Sequence, residues 1–246
     1  MRRRLLLVLV LVCSSAPAAL AGSAAAPRQL GPFGRGGDQY WLWKAQGRPH
    51  AIVVFLHGLH TSELTPANHK AWIEHLVRQG DDVIYPRYEQ QPGTFGALKH
   101  TLIALDAALG RLRRPQVPLV VLGYSRGGRL AVELAAVAGA IRAAPSAVMS
   151  VYPAGLNPAE EEVVDLRGVP RSTRIVLVVG QEDSRDGARE LLQRLEQASF
   201  PARNLEAVVI RSRGSFHATH FSAMETGPEV SRQLWAPFDR LVARIT

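Results

Sequence analysis

The segment Gly123-Tyr124-Ser125-Arg126-Gly127-Gly128 sets a serine between two glycines, after an apolar run and ahead of an alanine-rich one. This is G-x-S-x-G at a strand-to-helix turn. A serine at such an apex presents its hydroxyl at a helix N-terminus, where the dipole favours developing negative charge. Glycine two places before and two places after removes side chains that would strike neighbouring backbone. The reading of Ser125 is a nucleophile; a plain turn serine is the alternative it displaces.

A nucleophilic serine needs amide donors for the oxyanion, a base, and a carboxylate to orient the base. Upstream, the apolar run ending at Leu56 enters His57-Gly58-Leu59-His60. Here the backbone N–H of Leu59, with that of Arg126, forms the expected oxyanion hole. His57 reads as a turn residue, because the base should come late in the chain. His60 and His69 have no carboxylate at zinc-type spacing, so no metal and no cofactor are expected. The carboxylate is read as Asp183, in Gly180-Gln181-Glu182-Asp183, where a buried strand ends. Its competitors are Glu182, a solvated loop residue, and Asp186, a helix cap; Asp165 falls on the wrong edge of the sheet. The base is His217 or His220, both in Ser215-Phe216-His217-Ala218-Thr219-His220-Phe221, and spacing leaves the two open. The Arg126 side chain is read either as a pocket group for an anionic or polar substrate or as a helix-surface arginine.

These residues need a frame, and a chain of 246 residues, 47% apolar and 20% charged, is ample for one globular domain with a large core. Short β-type runs alternate with longer helical ones, the signature of a mainly parallel, doubly wound sheet with helices on both faces. Strands are expected at 40–44, 51–56, 82–85, 119–122, 147–151, 175–179 and 205–211. Runs such as Ile52-Val53-Val54-Phe55-Leu56 lack alternation, as strands buried on both faces do. The first two strands are read as a hairpin across Gln46-Gly47-Arg48-Pro49. Helices are expected at 66–78, 94–113, 127–142, 186–197 and 228–244, the last kinked at Pro237. Residues 22–37 read as a linker and 38–246 as the catalytic domain. About twenty residues separate the strands ending at Val151 and beginning at Ile175, too few for a cap domain.

With these residues in place, the sequence resembles the α/β-hydrolases in the order nucleophile, acid, histidine. The resemblance runs from about Gly31 to the C-terminus. The stretches Ala71–Arg78 and Val83–Tyr88 look like a bacterial subgroup related to dienelactone hydrolases and cutinase-like esterases. In such relatives the base often lies in a short His-hydrophobic segment before the final helix, which favours His220, in Thr219-His220-Phe221, with His217 as the alternative. Tyr124 and Arg126 depart from the common elbow, where many relatives carry histidine and methionine. The resemblance implies a serine carboxylesterase acting on a small-molecule or polymer ester through Ser125, Asp183 and His220. An acyltransferase on the same fold and a catalytically silent binding protein are the rival readings.

The N-terminus has its own pattern. Arg2, Arg3 and Arg4 precede the apolar run Leu5–Val12, and small residues follow to Ala19-Leu20-Ala21. That reads as a secretory signal peptide over 1–21, too short in its apolar part to span a bilayer. A lipid anchor at Cys13 is disfavoured by bulky Val12 before it. Removal of 1–21 takes three of the 29 basic residues and no acidic one, leaving 26 against 21 and a net +5, with no cysteine. The arginines are scattered and only three basic residues are lysine, so a nucleic-acid groove is not expected. The expected destination is secreted or periplasmic, without stable membrane insertion. Protein recovered from outside the cytoplasm should begin at or near Gly22. Mass spectrometry that finds Met1–Ala21 intact on the exported form would contradict this.

Overall fold

The computed structural model describes residues 26–91, 95–114, 116–158 and 161–246; the expected signal peptide lies outside the described residues. Eight strands form one sheet: β1 (Gln29–Phe33), β2 (Tyr40–Trp43), β3 (Ile52–Leu56), β4 (Asp82–Pro86), β5 (Leu119–Tyr124), β6 (Ala147–Val151), β7 (Arg174–Gly180) and β8 (Leu205–Ile210). Their spatial order is β1-β2-β4-β3-β5-β6-β7-β8. From β4 to β8 every pairing is parallel, and β1 and β2 add antiparallel strands at one edge.

Parallel strands need helical crossovers, and these cover both faces. Along β3, Ile52, Val54 and Leu56 join one core with residues of α2 (Ala97–Leu112), α3 (Arg126–Val137) and α4 (Asp186–Gln197). The alternate residues Val53 and Phe55 join the other core, with α1 (Lys70–Arg78) and the C-terminal helices α5 (Pro228–Val230) and α6 (Ala236–Ala243). The two-residue period of the strand thus assigns side chains to opposite cores, which is why its sequence is apolar throughout.

Three expectations are corrected. β2 and β3 do not form a hairpin: β4 lies between them, antiparallel to β2 and parallel to β3. The connection passes the start of β4, where Asp82 Oδ1 accepts from the Ala45 amide at 2.8 Å and Asp81 Oδ1 from the Ala51 amide at 3.1 Å. Residues 22–37 are not linker throughout, because Gln29–Phe33 pairs along β2 as an edge strand. The C-terminal helix is not one run with a kink. A π turn at Ser231–Trp235 precedes α6, whose second residue is Pro237. Proline has no N–H for the i−4 carbonyl and its ring clashes there, and the widened turn accommodates both facts.

Between Val151 and Arg174 the described residues hold one short helical turn, Leu166–Gly168, and no cap domain. The C-terminal ends of β3 and β7 therefore lead into loops and short turns, and that of β5 through Ser125 into α3. That is the end of an open α/β sheet where ligands bind. Among the described residues no helix is long and apolar enough to cross a membrane.

Burial pushes the Asp81 carboxyl up to about 6, against the Ala51 amide, which pulls it down. A raised carboxyl binds a proton in the fold that it has lost in the unfolded chain. Its contribution is therefore favourable at low pH and fades as pH climbs from about 4 to about 6. Asp81→Asn keeps the acceptor for Ala51. In urea titrations it should be the more stable protein at pH 7, by up to about 3 kcal/mol, and should match wild type at pH 4. Equal stability at both pH values would contradict the assignment.

Candidate active site

Ser125 occupies the turn between β5 and α3 with φ 56° and ψ −121°, a left-handed conformation for a residue with a side chain. Such backbone costs about 1–3 kcal/mol and persists only where its surroundings fix it. They do. The Ser125 amide donates to Val151 O at 2.9 Å, and Ser125 O accepts from Gly128 N at 2.9 Å and Ala154 N at 3.0 Å. The flanking glycines are obligatory for steric reasons. A Cβ on Gly123 would overlap the Gly127 carbonyl, and one on Gly127 would overlap the carbonyls of Leu56 and His57.

The loops after β7 and β8 supply the partners. His220 Nε2 lies 2.9 Å from Ser125 Oγ, and His220 Nδ1 lies 3.1 and 3.2 Å from the Asp183 carboxylate oxygens. The Asp183 side chain is 9% exposed, while that of His220 is about a third exposed. The two loops are joined directly: Glu182 N donates to Ala218 O at 3.1 Å, and Gly180 has no room for a Cβ beside that same carbonyl. Behind the imidazole, Tyr152 Oη and Ser222 Oγ are 2.8 Å apart, and Ser222 Oγ donates to Thr219 O at 2.8 Å.

His217 is not part of this line. It points to solvent and pairs with Glu182 at 3.1 Å, so adjacent acids take different histidines. Asp186 opens α4 on an exposed face, where it pairs with Arg189. Asp165 pairs with Arg167 on the surface.

The turn after β3 is tied to the elbow. His57 O accepts from Gly127 N at 2.9 Å and from Tyr88 Oη. The His57 ring is fully buried, stacks on Tyr88 at 4.1 Å, and sets its nitrogens 2.7 Å from the carbonyl oxygens of Gly58 and Arg87. Burial pushes it down to about 4, so it stays neutral at ordinary pH and serves the turn. Leu59 follows, its side chain 46% exposed; Phe221, beside His220, is 65% exposed.

The Arg126 side chain fits neither expectation. It is buried, paired with Glu89 and Glu161, in a network that continues through Arg129 and Glu133 to Arg194. Sequence reasoning missed this network, and also Glu63 and His69, which sit buried beneath the His57-Gly58 turn 2.9 Å apart. The Arg126-x-x-Arg129-x-x-x-Glu133 spacing on α3 was the available signal, since i, i+4 residues share a helix face. His60 is exposed on Ser62, and no cluster of metal-ligating side chains occurs among the described residues.

No family profile matches the sequence, and no curated protein does. Solved structures match in fold. Esterase B from Lactobacillus rhamnosis, captured with a tributyrin phosphonate, aligns with a TM-score of 0.62 at 15% identity, over 85% of this chain and 82% of that one. A thermostable carboxyl esterase from Bacillus coagulans aligns at 0.60 and 12%, over 84% and 94%. A Klebsiella pneumoniae protein described as a dienelactone hydrolase aligns at 0.56 and 16%, over 84% and 92%. The chain has the α/β-hydrolase fold.

The buried network yields a test of its own. Burial pushes the Glu133 carboxyl up while Arg129 and Arg194, 2.9 and 3.0 Å away, pull it down. Glu133→Leu would leave the buried Arg129 and the part-buried Arg194 guanidinium groups short of a partner, a loss of about 3 kcal/mol. A chemical denaturation midpoint equal to wild type would show that the network is not coupled to folding.

Proposed function

We propose that the protein is an exported serine hydrolase, a carboxylesterase that works by acyl transfer through Ser125, His220 and Asp183. The observation that carries the reading is the unbroken line from Ser125 Oγ to His220 Nε2 and from His220 Nδ1 to Asp183. An imidazole that donates from Nδ1 to a carboxylate keeps its Nε2 lone pair for the serine proton. The esterase names of the fold's neighbours support the choice of an ester, and the N-terminal 21 residues support export.

In this reading His220 takes the hydroxyl proton as Ser125 attacks the ester carbonyl. Asp183 stabilises the imidazolium that forms. The Leu59 and Arg126 amides receive the oxyanion. His220 then gives its proton to the leaving alcohol, and an acyl group remains on Ser125. Water enters, loses a proton to His220, attacks the acyl carbon, and the acid departs as Ser125 regains its proton. With no cap domain among the described residues, Leu59 and Phe221 offer exposed apolar surface to an acyl chain or to a polymer ester brought from outside.

On p-nitrophenyl butyrate, Ser125→Ala should lower kcat/KM by about 10³-fold or more with the fold intact. His220→Ala should do the same, because a serine hydroxyl is a poor nucleophile without a proton acceptor. His217→Ala should leave rate and pH profile within about 3-fold of wild type, given a side chain held only by an exposed pair. A reversal between the histidines would transfer the role of base to His217. Full activity in folded Ser125→Ala would end the proposal.

A further inference from the structure

Glu63 is one of few carboxylates fully inside the protein, and it is 3% exposed. It belongs to the short helical turn Thr61–Glu63 that follows the His57-Gly58-Leu59 turn. Its Oε2 accepts two hydrogen bonds, from the Gly58 amide at 2.6 Å and from His69 Nε2 at 2.9 Å. Its backbone carbonyl accepts from Tyr85 Oη at 2.6 Å, so side chain and main chain are both pinned. His69 in turn is closed in by Phe55, Tyr85 and Tyr124, with ring centres 4.8 to 6.2 Å away. A Cβ on Gly58 would stand 3.0 Å from both Glu63 oxygens and from Tyr124 Cε1, so a side chain there would press on the carboxylate.

Burying a carboxylate is expensive unless it is hydrogen-bonded, and the groups it binds show what the expense secures. Burial pushes the Glu63 carboxyl up, but His69 and the Gly58 amide more than reverse this and leave it below its ordinary range. The charged form is the one that grips the turn. Two successive peptide planes of the turn have partners, the first of them through Glu63. In the His57–Gly58 plane the N–H donates to Glu63 and the C=O accepts from the Gly127 amide and from Tyr88 Oη. The Gly58–Leu59 plane sets its C=O 2.7 Å from His57 Nδ1, from which it accepts in the tautomer that carries its proton on Nδ1. In a trans peptide N–H and C=O point in opposite senses, so holding the Gly58 carbonyl sets the direction of the Leu59 N–H.

We propose that Glu63, held by His69, is a positioning residue for the oxyanion hole, fixing through the Gly58 amide the turn from which Leu59 donates. The inference rests on the acyl-transfer reading above and names a residue of the same site. Glu63 acts on the transition state through the backbone, so its removal should cost kcat and spare KM.

The test compares three variants. Glu63→Leu fills the space and accepts nothing. Glu63→Asp draws the carboxylate back by one methylene, out of reach of Gly58. Glu63→Gln keeps one oxygen, able to accept from both Gly58 and His69 as Oε2 does. Each is assayed for kcat and KM on p-nitrophenyl butyrate, for melting temperature, and for inhibition by phenylboronic acid. In that adduct Ser125 Oγ bonds to boron, its proton passes to His220, and a boronate oxygen takes the oxyanion's place. The Leu and Asp variants should lose about 10- to 100-fold in kcat with KM within about 2-fold, and the boronate Ki should rise in parallel with the fall in kcat. The Gln variant should return to within about 3-fold of wild type in kcat and Ki.

If Glu63→Leu fails to fold, Glu63→Asp decides. Folded Asp protein with wild-type kcat and Ki overturns the proposal, as does a loss confined to melting temperature or a Gln variant no better than Leu. A wild-type protein that neither turns over ester nor binds the boronate removes the acyl-transfer reading and this inference with it. An active wild type beside unaffected Glu63 variants removes this inference alone.

Discussion

The hydrogen bond from the Gly127 amide to the His57 carbonyl, 2.9 Å long, joins the two turns on which the site is built. One turn carries Ser125 in its left-handed conformation and the other carries Leu59. Because the two strands are adjacent and parallel, β3 and β5 end at the same height, with Leu56 opposite Gly123. The bond can form only if Gly123 and Gly127 lack side chains, since each would overlap a carbonyl of the neighbouring turn or helix. Sheet register, glycine spacing and serine geometry are thus one constraint seen at three levels.

Two buried ionic groups brace this junction from opposite sides. On the α3 side, Arg126 is held among Glu89 and Glu161, and the same network reaches α4 through Arg194 and Glu133. On the other side, Glu63 and His69 lie under the Gly58 turn. Breaking either leaves an uncompensated buried charge, which is why such pairs act more as locks on geometry than as sources of net stability. Strain at Ser125 needs that kind of rigid surround, because a looser one would let the residue relax to an ordinary helix start.

What the sequence makes legible follows from how local each signal is. The elbow is readable because the steric demand lies within five residues, and the buried strands because apolar side chains are needed on both faces. Asp183 and the late histidine pair stand at strand ends, which hydrophobic runs mark out. Choosing between His217 and His220 is a different matter. Each histidine faces one of two adjacent acids, and only the folded loops send Asp183 inward and Glu182 to solvent. β1 looks like linker because an edge strand is half exposed and carries Gly31 and Pro32, residues tolerated at an edge. The β2–β3 hairpin reading failed because nothing local says that β4, forty residues on, inserts between them. Glu63, Glu89 and Glu161 carry no local mark of burial for the same reason: their partners are brought by topology and not by spacing.

The central claim is that Ser125 is a nucleophile activated by His220, and active-site labelling tests it most directly. The protein is exposed to a fluorophosphonate, digested, and the modified residue located by peptide mass spectrometry. The account predicts one adduct, on Ser125, formed at a rate that collapses when His220 is replaced by alanine. A protein that stays unlabelled, or that carries its adduct on another residue, would contradict it.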